Sequence, residues 1–209
     1  QRILLPGVLP DFGGYEVAGV NVPARHVSGD YYDFIEISPR YRGLAIADVS
    51  GKGVPASLLM AMCRSVLRCV SDGEESAAKA LRRLNRHLYP DIREDMFISM
   101  AYAILDGETS TIRLARAGHD APLWYHAVDG TITRISPPGL AIGIDDGPVF
   151  DRVTGDLEVV MESGDMIVFF TDGVTEALDA QGDEFGMERL MECVRESAPR
   201  GAAAVVEGI

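Results

Sequence analysis

The chain has 209 residues, a length for one or two domains, with 47% hydrophobic and 24% charged residues, close to the average for folded globular chains. Its 32 Asp and Glu against 19 Lys and Arg leave a net charge of −13. That balance speaks against a general nucleic-acid binder and against a face that docks on anionic lipid, since both need basic patches. The three cysteines, Cys63, Cys69 and Cys193, form no C-x-x-C pair. Neither a disulfide framework nor a zinc knuckle is expected, and a reducing cytoplasm is the simplest setting.

No repeat or low-complexity tract divides the chain, so residues 1–209 read as one domain. The start on Gln1 and the stop at Ile209 suggest a domain excised from a larger protein. No signal peptide opens it. No apolar run approaches the ~18 residues of a membrane span, because Arg64 and Arg68 interrupt the apolar stretch 58–70. Direct membrane insertion is not expected.

Residues 31–37 are rich in β-formers and bounded by Gly29 and Pro39. A short apolar strand follows at 43–48. The spacing predicts a helix over about 55–70, with Pro55 in its first turn and Leu58, Met62, Val66 and Cys69 on one apolar face. A second helix, about 76–89, lines up Leu81, Leu84 and Leu88. Strands at 96–105 and 111–117 flank Asp106-Gly107, and strands at 122–128 and 131–135 flank Asp129-Gly130. Asp-Gly between such runs is a strong hairpin signal. A third hairpin is expected from 157–161 and 166–170 around 162–165, and a last helix over about 187–194. Strands joined by hairpins cannot be parallel neighbours. The expected class is therefore α+β: two stacked antiparallel sheets flanked by helices, rather than a Rossmann-type fold.

Several catalytic motifs are missing. Gly51-Lys52-Gly53 lacks the Ser or Thr and the upstream Gly of a P-loop. There is no G-x-S-x-G elbow, and His26, His87, His119 and His126 make no H-E-x-x-H, so a zinc site is poorly supported. What remains is acidic. One apolar strand ends in Asp48 and another in Thr171-Asp172; two such strands can aim their carboxylates at one point. Asp30, at the start of another strand, could be a third. Converging carboxylates need a counter-charge, and oxygen-only ligands suit Mg²⁺ or Mn²⁺.

Plainer readings stand beside this one. Asp-Gly is as a rule an ordinary turn. Of the five pairs here, only Asp172-Gly173 follows an apolar run plus Thr and leads into Val-Thr-Glu176 rather than another strand. Asp48 could equally cap the following helix, and Asp30 could cap a turn.

Taken together, the segments resemble a known family. Pro23-Ala-Arg-His-Val-Ser-Gly-Asp30-Tyr-Tyr-Asp33-Phe34 and Ala47-Asp48-Val-Ser-Gly-Lys-Gly53-Val-Pro-Ala-Ser-Leu-Leu-Met60-Ala are similar to two signatures of the SpoIIE/RsbU-type phosphatases. These are a bacterial branch of the metal-dependent Ser/Thr (PPM) phosphatases. Ala117-Gly118-His119-Asp-Ala-Pro122, Gly139-Leu-Ala-Ile-Gly143, and Gly164-Asp165 leading to Phe170-Thr-Asp172-Gly-Val-Thr-Glu176 and Phe185-Gly186 follow in family order.

The resemblance implies an αββα sandwich with a dinuclear Mn²⁺ or Mg²⁺ centre between the sheets. Asp48 would bridge the metals, the Val49 carbonyl would bind one of them, Asp172 would hold the other, and Asp30 would bind directly or through water. Asp33 and Glu176 are expected to support that shell. The family's closing Asp-Asp-x-Thr, a further ligand, has no counterpart after Asp183. The implied reaction is hydrolysis of a phosphoserine or phosphothreonine monoester in bacterial signalling, such as sigma-factor control, stress response or a two-component system.

Lys52, flanked by glycines beside Asp48, is the better phosphate candidate. Arg25 reads as a surface arginine. His119 is either a proton donor or substrate contact, or a histidine fixed by hydrogen bonds in a strand-end turn. The helix at 55–70 leaves the Asp48 loop directly, so its movement could switch the site. The implied partners are a phosphorylated regulatory protein, such as an anti-sigma-factor antagonist, and an upstream sensor or receiver domain of the same chain; a homodimer is an option. The alternative function is a phosphatase-like module that binds a partner without catalysis. An acidic-cluster nuclease is disfavoured by the net charge.

Overall fold

The computed structural model describes Pro6, residues 12–22 and residues 29–209. Arg25, His26 and Ser28, with most of the opening segment, lie outside the described residues.

Strands β1 (Tyr31–Glu36), β2 (Tyr41–Val49), β3 (Ile98–Asp106), β4 (Thr111–Ala117) and β7 (Leu157–Val160) form one antiparallel sheet in the order β1-β2-β3-β4-β7. Strands β5 (Leu123–Tyr125), β6 (Ile132–Arg134) and β8 (Met166–Val168) form a second, in the order β6-β5-β8. Helices α1 (Val54–Ser71) and α2 (Ala77–Leu88) cover the first sheet, and α5 (Gly186–Ser197) and α6 (Ala202–Gly208) cover the second. The expected α+β sandwich of two antiparallel sheets is what forms.

The layers follow from strand alternation, which sends successive side chains to opposite faces. In β2, Gly43, Ala45, Ala47 and Val49 are buried toward the helices, while Leu44, Ile46 and Asp48 alternate onto the other face. That other face builds the core between the sheets, where Leu44, Ala103, Leu105 and Leu114 meet Trp124, Ile167 and Phe169. The Asp106-Gly107 and Asp129-Gly130 hairpins form where their turns place them.

Two elements differ from expectation. The segments at 157–161 and 166–170 do not pair with each other: β7 extends the first sheet beside β4, and β8 joins the second beside β5. The turn between them crosses from sheet to sheet. Asp165 holds it, accepting from Trp124 Nε1, Ala127 N and Glu162 N at 3.1, 2.9 and 3.1 Å.

The buried face of α1 is also not the expected one. Ala56, Leu59, Met60, Cys63, Leu67 and Val70 are buried, whereas Leu58, Met62 and Cys69 are exposed. The helix is apolar on both sides, so spacing alone leaves two stripes. Asp33 on β1 settles the choice, drawing Arg68 into a two-pronged ion pair at 2.6 and 2.7 Å. Among the described residues α1 is the one helix long and apolar enough to cross a membrane by length and composition; its inner face packs on the first sheet and its Arg68 pairs with Asp33.

Helix α2 begins at the N-cap Ser76, whose Oγ accepts from Lys79 N at 3.1 Å, and buries Leu81, Leu84 and Leu88 as expected. Two short helices, α3 (Pro148–Val153) and α4 (Asp172–Thr175), complete the fold. Asp145 Oδ1 seats α3 by accepting from the Gly147, Val149 and Phe150 amides.

Candidate metal centre

Asp48 is the penultimate residue of β2, half-buried on the face toward the second sheet. The pairing of Tyr31 with Ala47 places Asp30, one residue before β1, beside Asp48. Glycines permit this approach. A Cβ on Gly29 would stand 2.6 Å from the Val49 carbonyl oxygen and 3.2 Å from Asp48 Oδ1. Asp172 arrives from the second sheet. It lies four residues beyond the end of β8 and opens α4, so it is not the last residue of its strand as the sequence suggests. The next residue, Gly173, sits against Asp30: a Cβ there would be 4.0 Å from Asp30 Oδ2.

The three carboxylates share one field. Burial, joined by the facing charges of Asp30 and Asp172 and a hydrogen bond with Asp30, pushes the Asp48 carboxyl up to about 6. The Val49 amide opposes this by donating to the carboxylate. Among the described residues no three His, Cys, Asp or Glu side chains are already gathered as a metal cage. Carboxylate oxygens with the Val49 carbonyl beside them form a hard donor set, and repulsion among them is what a divalent cation relieves. The residues fit such an ion.

The remaining candidates divide. Lys52 is exposed in the loop between β2 and α1, on the segment that leaves Asp48. Asp33 does not join the centre. It alternates onto the helix face of β1 and is nearly inaccessible at 1%. There it accepts from Arg68, from the Tyr31 hydroxyl at 2.8 Å and from the Phe34 amide at 2.9 Å, with Arg64 Nε 3.8 Å away. Its partners make it a clamp between β1 and α1. Glu176 is exposed; its backbone amide donates to the Asp172 carbonyl at 2.7 Å and closes α4, so its carboxylate is not what supports Asp172.

His119 is a buried histidine, 4% exposed, with both ring nitrogens engaged: Nδ1 stands 2.8 Å from Ser99 Oγ and Nε2 stands 3.1 Å from the Phe170 carbonyl oxygen. Burial lowers its pKa below the ordinary imidazole value. Of the readings the sequence offers for His119, this geometry matches the histidine fixed by hydrogen bonds at a strand end. Sequence reasoning missed Ser99, which carries no motif. Only the β2–β3 register, pairing Asp48 with Ser99, brings it here.

A sequence profile of the Stage II sporulation protein E (SpoIIE) family matches residues 38–209. The chain belongs to the SpoIIE family. The phosphoserine phosphatase RsbU of Bacillus subtilis is 34% identical over 197 residues, covering 92% of this chain. The chain spans only 56% of that relative's length. The SiaA PP2C domain of Pseudomonas aeruginosa has the same fold, with a TM-score of 0.72 over 86% of this chain and 70% of its own, at 20% identity. RsbX, solved in complex with magnesium, does so with a TM-score of 0.67 over 90% of this chain and 81% of its own, at 12% identity. The matched residues take in the segments around Asp48, His119 and Asp172, while Asp30 lies before them; both sheets belong to a PP2C-type fold.

Proposed function

We propose that residues 1–209 form one phosphatase domain that hydrolyses phosphoserine or phosphothreonine monoesters on a regulatory protein, using two bound Mn²⁺ or Mg²⁺ ions. The observation that carries this reading is the convergence of Asp30, Asp48 and Asp172 from two sheets, where burial and the two facing carboxylates raise the Asp48 carboxyl. Membership of the SpoIIE family, the name of the RsbU relative and the magnesium in RsbX support it.

In this reading Asp48, Asp172 and the Val49 carbonyl hold the ions, and Asp30 binds directly or through water. When bound, such a pair supplies an activated water, a clamp on the phosphoryl oxygens and neutralisation of developing charge. The chain's own residues set the stage for that chemistry. The β2 backbone fixes Asp48, α4 carries Asp172, and Gly29 and Gly173 keep the floor free of side chains. Lys52, on the exposed loop, is placed to meet a phosphate that approaches from solvent. The substrate is a phosphorylated regulator of the anti-sigma-antagonist kind, and control comes from a sensor or receiver domain upstream in the same protein. The setting is cytoplasmic.

The test is hydrolysis of p-nitrophenyl phosphate and of a phosphoserine peptide, with and without Mn²⁺, by the wild-type domain and by Asp172→Asn. Mn²⁺-dependent turnover that is lost in the variant is expected. No turnover together with no detectable Mn²⁺ binding would move the reading to a partner-binding module.

A further inference from the structure

The Gly118-His119 and Gly139–Gly143 motifs are not consumed by the carboxylate centre, yet they lie directly behind it. We propose that His119 is a positioning residue for that centre, a strut between the two sheets that sets the Asp172 segment against the Asp48 strand. This rests on the metal-dependent reading above and deepens it.

The connection can be followed atom by atom. Ser99 pairs with Asp48 across β2 and β3, so the two side chains share a face. Ser99 Oγ is 2.8 Å from His119 Nδ1 and 3.4 Å from the Asp48 carbonyl oxygen. On the other side of the ring, Nε2 is 3.1 Å from the Phe170 carbonyl oxygen. A carbonyl can only accept, so Nε2 carries a proton, and in the neutral ring Nδ1 accepts from the Ser99 hydroxyl. Only Thr171 separates Phe170 from Asp172. The imidazole therefore spans from β3, the strand paired with the one that carries Asp48, to the segment that carries Asp172; with the Ser99 proton given to the ring, the β2–β3 ladder completes the link to Asp48. Those two arms come from different sheets, and their like charges push them apart.

The ring itself is held from behind. Arg116 Nη1 donates to the His119 carbonyl at 2.6 Å and Arg116 Nε to the Pro137 carbonyl at 3.0 Å. Gly118, at φ 68°, bridges to Met100 of β3. Gly139 passes so close to Arg116 that a Cβ would fall 1.6 Å from its carbonyl oxygen. The Gly118 turn, with Arg116 bonded to the His119 and Pro137 carbonyls, thus fixes the backbone that carries the imidazole. Residues that orient metal ligands in this way are worth about 10–100-fold in metal affinity.

Three variants test the strut. His119→Ala removes both bonds, His119→Gln keeps an amide that reaches toward the Phe170 carbonyl, and Ser99→Ala removes one hydroxyl. Mn²⁺ affinity is measured by calorimetry, turnover at saturating Mn²⁺ by phosphoester hydrolysis, and local opening in the metal-free domain by amide hydrogen exchange at residues 171–174. His119→Ala is expected to weaken Mn²⁺ binding about 10–100-fold and to speed exchange at 171–174 while β2 and β3 keep their protection. His119→Gln should recover most of both losses, and Ser99→Ala should fall between. Wild-type Mn²⁺ affinity in His119→Ala with turnover alone lost would overturn the proposal and restore a proton-donor role. Should His119→Ala fail to fold, Ser99→Ala decides by the same readouts, unchanged affinity and exchange counting against the strut. Should the wild-type domain bind no Mn²⁺, the metal-dependent reading falls, and the exchange comparison judges the strut by itself.

Discussion

Asp33 and Asp48 stand on neighbouring strands of one sheet, and their surroundings could hardly differ more. Asp33 turns to the helix face and meets two guanidinium prongs, a tyrosine hydroxyl and a backbone amide. Asp48 turns to the face between the sheets and meets two more carboxylates. One carboxylate is satisfied by the fold and fastens α1 to β1. The other has the Val49 amide and a hydrogen bond with Asp30 as partners but faces two like charges, a repulsion that a divalent cation would relieve. Residue type does not separate structure from chemistry here; the partners do.

The sharpest way to break the comparison is at Asp33. Asp33→Asn should cost about 3 kcal/mol, the lower end for a broken buried pair, because the Arg68 side chain is 42% exposed and can return to water. Urea unfolding would show it. A loss below about 1 kcal/mol, the scale of a surface pair, would mean that the clamp holds nothing.

The clamp also fixes which side of α1 faces in. Leu59→Ala should cost about 2–3 kcal/mol as a cavity, whereas Leu58→Ala should stay within about 0.5 kcal/mol as a surface change. Equal losses in the same unfolding measurement would contradict the buried face described above.

At the other pole, Asp48→Asn should stabilise the metal-free domain by about 1 kcal/mol while removing activity, the trade expected where a site is kept under strain. Thermal unfolding in chelator would read the gain, and a destabilised variant would argue that Asp48 is structural after all.

The smallest effect concerns a third carboxylate, Asp106, whose partner Arg40 is 40% exposed. The Arg40 guanidinium holds the Asp106 carboxyl well below its ordinary range. Its folded value is depressed, so its contribution is present above the unfolded value near 3.9 and fades as pH falls through the folded one. Asp106→Asn should therefore lower Tm at pH 7 and narrow its gap to wild type as the medium is acidified below about pH 4. A gap that widens in acid would refute the assignment.

Much of this was legible in the residues. Alternation and Asp-Gly turns give β3 with β4 and β5 with β6, whose short connections, residues 107–110 and 126–131, return each strand beside the one before it. The same rule misleads at 162–165. A four-residue turn anchored by Asp165 to Trp124 and Ala127 can cross between layers, and nothing local reveals that. The α1 face is ambiguous for a related reason: a helix apolar on both sides is oriented by a distant Asp33, not by its own spacing. At the site, Asp30, Asp48 and Asp172 announce themselves by their motifs. Asp33 sits three residues from Asp30 but points the other way, which only the strand pleat decides. Ser99 is invisible until the register sets it opposite Asp48.

The most direct test of the central claim is a calorimetric titration of Mn²⁺ into the metal-free domain, run beside Asp48→Asn and Leu58→Ala. Saturable binding to wild type and Leu58→Ala that disappears in Asp48→Asn is the expected result. Binding that survives the loss of the Asp48 charge, or no binding to the wild-type domain, would contradict the claim that this carboxylate centre is built for a divalent cation.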